Sequence, residues 1–261
     1  MSMHDRWTRL LAILGEQGAL DVAEAAQQLG VSTATVRRDL DELARQQLLT
    51  RTRGGAVLSG VSYDLPLRYK TARQTDEKHH IAQAAARLLP PGSVVGLNGG
   101  TTTTAVAHEL AVRPDLAEHG DGVALTVVTN AVNIANELAV RSYIKTVVTG
   151  GVVRPNSFEL TGPMATAILH EISLDYAVLG VNAVEPKNGA AAHDEGEAGV
   201  NRALAERAEQ VIVVADSTKL GRRAFAQVCP TESISTLITD KNAPDEIVEQ
   251  FTARGVDVIC A

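Results

Sequence analysis

Two adjacent arginines, Arg37 and Arg38, follow the small side chains Ser32-Thr33-Ala34-Thr35. A guanidinium chelates the O6 and N7 edge of guanine or clamps a phosphate, and hydroxyls near a helix start suit phosphate or base-edge contacts. Ala34 is small enough to let a helix sit deep against a thymine methyl. A second constellation, Asn98-Gly99-Gly100-Thr101-Thr102-Thr103-Thr104, passes through glycines into a run of hydroxyls. Unpaired N–H groups at a helix start, the positive end of its dipole and small hydroxyl donors make an anion cradle, with phosphate the expected guest. It matches neither the GxGxxG dinucleotide fingerprint nor a P-loop, which needs Lys after its second Gly. Thr129-Asn130, Thr149-Gly150-Gly151 and Asp216-Ser217-Thr218-Lys219 end three further strand-like runs. On one sheet edge they would hydrogen-bond a polyhydroxylated molecule. Lys219 would pair with a phosphate or carbonyl oxygen, and Asp216 with sugar hydroxyls or with Lys219. His193-Asp194-Glu195 falls in the glycine-rich stretch 189–199 and reads as a lid over that ligand or as a solvated loop.

The elements that must carry the arginines follow from periodicity. Trp7, Leu10, Leu11 and Leu14 lie at i, i+3, i+4 and i+7, one apolar helix face. Gly15 and Gly18 are expected to break that helix, and Leu20-Asp21 to open a second, with Val22, Ala26 and Leu29 buried. Gly30-Val31 makes a turn, and Ser32 is placed to cap a third helix. At about 100° per residue, Val36, Leu40 and Leu43 pack inward. Ala34, Arg38 and Arg45 then point out, with Thr35 and Arg37 on the flanks. Asp39 falls nearer the buried side, as an internal partner for an arginine or a backbone amide. Arg51, Arg53 and Gly54, in Thr50-Arg51-Thr52-Arg53-Gly54-Gly55, read as a β-hairpin wing laid along the DNA backbone. This is the pattern of a winged helix-turn-helix that reads double-stranded DNA in the major groove. The alternative is a three-helix bundle with a solvated charged face.

Residues 1–60 balance their charges, so the net charge of -7 falls on residues 61–261. A weakly charged reader on an acidic body needs dimerisation on a symmetric operator to gain affinity. Among the 261 residues only 3% are aromatic, while small aliphatics abound, which suits parallel sheets covered by helices. The expected fold class is α/β. A small winged helix-turn-helix spans 1–58, a linker with Pro66, Arg68, Lys70 and Arg73 spans 59–76, and a mostly parallel α/β effector-binding domain spans 77–261. In that body strands are expected at 93–97, 125–129, 144–149, 175–181, 211–216, 236–239 and 256–259, with helices between them. Ligands gather at the carboxyl ends of such strands. No apolar run reaches the length of about 18 residues that crosses a membrane. Cys229 and Cys260 form no CxxC and read as reduced core thiols, which implies a cytoplasmic protein. Neither a cofactor nor a metal is expected: dinucleotide, serine-hydrolase and clustered His/Cys signatures are missing.

The Ser32-x-x-Thr35-Val36-Arg37-Arg38-Asp39-Leu40 pattern, the Arg53-Gly54-Gly55-Ala56 wing and the strand-end motifs resemble the DeoR family of transcriptional regulators over nearly the full chain. The resemblance implies a winged helix-turn-helix joined to a sugar-phosphate-isomerase-like sensor. It also implies a repressor of sugar or nucleoside catabolism, released by a phosphorylated effector and assembled as a dimer or tetramer. By that likeness Lys78, Asn98, Gly99, Gly100, Thr101, Thr102, Thr103, Thr129, Asn130, Gly150, Gly151, Asp216 and Lys219 are effector-site candidates, with His193 and Glu195 on the lid. Two departures stand out. Asn98 replaces the family's usual Asp, and Ala191-Ala192 replaces a usual pair of threonines. Both point away from a standard sugar phosphate and leave room for an unphosphorylated ligand. A phosphosugar isomerase is the competing enzymatic expectation, although no tight acid–base pair is evident.

Overall fold

The computed structural model describes residues 2–45, 48–57, 75–118 and 122–261. Of the expected 59–76 linker, only its last two residues are among them, and these open a helix. The chain separates into two compact units, residues 1–73 and 74–261.

In the first unit α1 spans Met3–Gln17, β1 Ala19–Asp21, α2 Val22–Leu29, α3 Thr33–Arg45, β2 Thr50–Arg51 and β3 Gly55–Val57. Trp7, Leu10, Leu11 and Leu14 of α1 are buried against Val36, Leu40 and Leu43 of α3 in one core, as the helical spacing requires. Gly15 does not break α1; the helix continues to Gln17 and stops at Gly18, whose left-handed φ of 74° glycine adopts without strain. Val22 and Ala26 are buried in α2, joined by Ala25, with Leu29 half-buried at the margin. Asp21 caps α2 by accepting from the Ala23 and Glu24 amides at 2.7 and 3.2 Å. Ser32 Oγ accepts the Thr35 N–H at 3.2 Å and so caps α3.

The wing is a three-stranded antiparallel sheet in the order β1-β3-β2. Leu20-Asp21, expected to open the second helix, belongs instead to β1, which pairs with Gly55–Val57 and ties the wing to α1 and α2. Gly55 makes that approach possible, since a Cβ there would lie 1.7 Å from the Leu20 carbonyl oxygen.

The second unit opens with α4 (Thr75–Arg87), after which come β4 (Val94–Leu97), α5 (Thr101–Val112), α6 (Pro114–Ala117), β5 (Leu125–Thr129), α7 (Val132–Leu138) and β6 (Ile144–Val148). A hairpin, β7 (Val152–Arg154) and β8 (Glu159–Thr161), leads to α8 (Pro163–Ala167) and β9 (Leu174–Gly180). Next are β10 (Ala183–Glu185), β11 (Gly189–Ala192), α9 (Glu195–Arg207), β12 (Ala208–Val214), β13 (Ala226–Cys229), β14 (Thr236–Thr239), α10 (Asp245–Thr252) and β15 (Asp257–Cys260). Seven strands form one parallel sheet, ordered β15-β14-β12-β9-β4-β5-β6.

Alternate residues of the central strands feed two cores. Val211 and Val213 join the core under α9 and α10, whereas Ile212 and Val214 join the one under α4, α5 and α7. Both faces are therefore covered, as the near-continuous Val/Ile/Leu runs require. Outside this sheet lie the antiparallel pair β7-β8 and the antiparallel trio β10-β11-β13. Cys229 is buried and Cys260 exposed, so the expectation of two core thiols holds for one of them; both are free.

Candidate nucleic-acid interface and effector site

Ser32, Thr33, Ala34, Arg37, Arg38 and Arg45 are exposed along α3, and Thr35 is half-buried. The Thr35 hydroxyl lies 2.9 Å from Ser32 Oγ. Among the described residues, no hydrogen bond or ion pair engages Arg37, Arg38 or Arg53. Arg45 pairs with Glu42 one turn back. Asp39 is buried: it accepts from Arg6 Nε at 2.6 Å, Arg6 Nη2 at 3.0 Å and Trp7 Nε1 at 2.9 Å. The hydrogen bonds and charge of Asp39 raise the Arg6 guanidinium further above its ordinary range. The carboxylate thus locks α1 to α3 from the buried side of the helix. Arg51 departs from expectation. Its guanidinium bonds Asp41 at 2.8 Å and the Gly55 carbonyl, so it pins the wing to α3 instead of reaching out. Arg53 and Gly54 remain exposed at the wing tip.

In the second unit, the candidate residues gather at the carboxyl ends of β4, β5, β6, β9 and β12. Asn98 is buried and closes a two-way bond with Gly180: its amide donates to the Gly180 carbonyl and its Oδ1 accepts the Gly180 N–H, each at 2.8 Å. Asn98, an effector-site candidate from the sequence, spends both its polar atoms on joining β4 to β9. A carboxylate has no donor for the Gly180 carbonyl, which gives Asn a physical reason here.

The first turn of α5 keeps its free amides. No acceptor among the described residues meets the N–H groups of Gly100, Thr101, Thr102 or Thr103, and no side chain caps the helix. The Thr103 and Thr104 hydroxyls turn back to the Gly100 carbonyl at 3.2 and 2.6 Å. Thr101 and Thr102 are left as the hydroxyls of the cradle. The Thr129 hydroxyl accepts the Ala131 N–H at 3.0 Å. Asn130 is fully buried; its amide reaches Glu159 and the Leu160 carbonyl at 3.3 Å, while its Oδ1 has no partner. Gly150 and Gly151 let the chain turn from β6 into the β7-β8 hairpin, and a Cβ on Gly151 would lie 2.7 Å from the Thr161 carbonyl oxygen. These glycines serve the hairpin's close packing.

Asp216 is buried and capped onto its own turn, accepting from the Thr218 N–H at 3.1 Å and from the Thr218 hydroxyl. Lys219 is half-buried on that turn. Lys78 is buried in the first turn of α4. That helix runs back to β4, which places Lys78 at the same edge as the strand ends. The stretch around His193 is no glycine-rich lid. It is β11 running directly into α9: the His193 N–H donates to Asn182 Oδ1 at 2.9 Å, and Asp194 caps the helix at the Glu197 N–H, 2.9 Å. Glu195 is exposed in the first turn, and Ala190 and Ala192 belong to the core.

Charged groups that the sequence did not flag, Glu159, Arg154 and Glu197, join Asp194 near the cradle. Glu159 Oε1 accepts the Gly99 N–H at 2.9 Å, Arg154 Nη1 bonds Glu197 at 3.0 Å, and Arg154 Nε bonds Asp194 at 3.1 Å. Glu159 follows a polar turn and reads as loop. Glu197 carries the one available signal, a carboxylate beside Ala198 and Asn201 on a helix face that proves buried. The opposite sheet edge holds a small cavity lined by Ser93, Asp175 and Glu209, but Asp175 already binds the Val94 N–H at 2.7 Å. Among the described residues no helix is long and apolar enough to cross a membrane.

A winged reader in one unit and a parallel α/β body with a polar strand-end edge in the other define a two-part transcription regulator. Residues 6–60 match the DeoR-like helix-turn-helix domain, and residues 73–241 match the DeoR C terminal sensor domain. The chain belongs to the DeoR family of transcriptional regulators and is not an enzyme. It is 31% identical to the glycerol-3-phosphate regulon repressor of Escherichia coli strain K12, over 99% of both chains. It is also 31% identical to the L-fucose operon activator of Haemophilus influenzae, over 94% of this chain and 95% of that one. Among solved structures, ribose 5-phosphate isomerase A of Methanocaldococcus jannaschii is similar at 20% identity with a TM-score of 0.42. The match covers 56% of this chain and 54% of that one.

Proposed function

We propose that this regulator is a repressor of carbohydrate catabolism genes, working in the cytoplasm as a dimer or tetramer, and that a phosphorylated sugar releases it from its operator. The observation that carries the effector class is the start of α5, where the Gly100, Thr101 and Thr102 N–H groups have no acceptor among the described residues. A phosphate there would meet unpaired donors and the positive helix end together. Lys78 and Lys219, at the same edge, are its cationic neighbours. Ser32, Thr33, Ala34, Arg37 and Arg38 would enter the major groove, with Arg45, Arg53 and Gly54 beside the backbone. The relative named for the glycerol-3-phosphate regulon supports a small phosphorylated effector, and the one named as an operon activator makes the sign of regulation worth measuring.

The test is a thermal-shift titration with sugar phosphates, each beside its unphosphorylated sugar, with inorganic phosphate as control. A ligand at a hundredfold excess over its Kd adds about 2.7 kcal/mol. Stabilisation by one phosphosugar, together with its release of the protein from operator DNA, is the expected result. Stabilisation by a free sugar alone would favour a second reading, which the Glu159 carboxyl lying against the cradle supports: an uncharged ligand. Silence across the panel would count against both.

A further inference from the structure

The carboxyl group against the cradle has a geometry of its own. Glu159 is 3% exposed, and its Oε1 receives both the Gly99 N–H and the Asn130 amide. Its Cγ packs so closely on the loop that a Cβ on Gly99 would lie 2.3 Å from it. The titratable groups around it are Glu197 in the first turn of α9, Asp194 before that helix and Arg154 on β7. The 98–104 loop and residues 129–133 bring only amides, hydroxyls and methyls. Glu197 has Arg154 at 3.0 Å, whereas the bonds Glu159 receives come from the neutral Gly99 N–H and Asn130 amide. Of two neighbouring buried carboxyls, the one without the guanidinium keeps the proton. Burial first, then the charge of Glu197 and a hydrogen bond with it, push Glu159 up to about 8, against the pull of the Gly99 and Asn130 donors.

We propose that protonated Glu159 is the positioning residue of the anion cradle. It holds Gly99 so that the N–H groups of Gly100, Thr101 and Thr102 present together, and its ionisation puts a negative charge under the loop and weakens the hold on an anionic effector. This rests on the cradle being the effector's anion site. The effector response then carries an upper pH limit, set within the protein and not by the effector: a phosphate monoester has completed its second ionisation, near 6, before Glu159 titrates.

Full-length protein is titrated calorimetrically with the panel's sugar phosphates and with sulfate, whose charge stays constant, from pH about 6.5 to about 9.5. The expected affinity falls about tenfold with a midpoint near 8. Glu159→Gln keeps an acceptor for Gly99 without the charge, and its affinity should stay flat across the range. Glu197→Gln removes the neighbouring charge and should move the midpoint to lower pH, a shift that a merely structural role does not produce. A flat wild-type profile, or a Glu159→Gln profile as steep as wild type, overturns the inference while leaving the cradle intact. Wild-type silence towards every anion at every pH overturns the cradle and this inference together. In that case an infrared carboxylic-acid band lost in Glu159→Gln would mark the shared proton as structural only.

Discussion

Single residues divide the polar groups of this chain into those spent on the fold and those left for partners. Asp39 belongs to the first class. Its carboxylate takes three donors from α1 across 32 and 33 residues of sequence, and Asp39→Ala would leave Arg6 and Trp7 unpaired. We expect a loss of about 3 kcal/mol, towards the lower end for a buried pair because Arg6 keeps some solvent, read as a lower Tm of the reader unit. Arg37 and Arg38 belong to the second class. Arg37→Ala and Arg38→Ala should leave the Tm unchanged and weaken operator binding; a base-reading arginine costs about 1–3 kcal/mol and relaxes one position, while a phosphate-binding one lowers the salt slope by about 1. Binding isotherms over a salt series on operator and random DNA separate the two. The helical angle of α3 foretold this division, because exposure on one helix follows from position alone. It could not foretell that Asn98, Asp216 and Arg51 bond within the fold, since each finds its partner through chain folding and not through sequence spacing.

At the level of elements, period decides what a sequence reveals. The helices of the reader and the seven parallel strands were legible because long apolar runs and 3.6-residue spacing leave few alternatives. Short antiparallel strands were not. β1 is three residues placed between two helices, β7-β8 is a hairpin with exposed Val152 and Val153, and β11 is glycine and alanine in a stretch that reads as loop. None has room for an alternation to show, and each is defined by a partner distant in sequence. The wing shows what such pairing requires. Gly55→Ala would drive a Cβ into the Leu20 carbonyl, so the β1-β3 pairing must open. The expected outcome is a lower reader-unit Tm and weaker operator binding with unchanged thermal response of the sensor unit, measured by calorimetry and DNA titration.

For the whole molecule, the reader unit has a core of its own and the sensor unit has two of its own, so one transition is expected for each unit, since cooperativity follows shared burial. Differential scanning calorimetry should resolve them: operator DNA should raise the transition assigned to residues 1–73, and a sugar phosphate the one assigned to 74–261. A single transition that both ligands move equally would show the units to be thermodynamically fused.

The two thiols give this molecule a practical handle. Burial pushes the Cys229 thiol up to about 11; partial burial and the charges of Asp240 and Asp245 also raise the Cys260 thiol, but Cys260 stands exposed at the carboxyl end of β15. Reactivity follows the accessible thiolate, so a maleimide dye near neutral pH should attach at Cys260 alone. The natural sequence therefore supplies one fluorescent address, on the same sheet edge as the cradle, from which ligand arrival can be timed without any engineered cysteine.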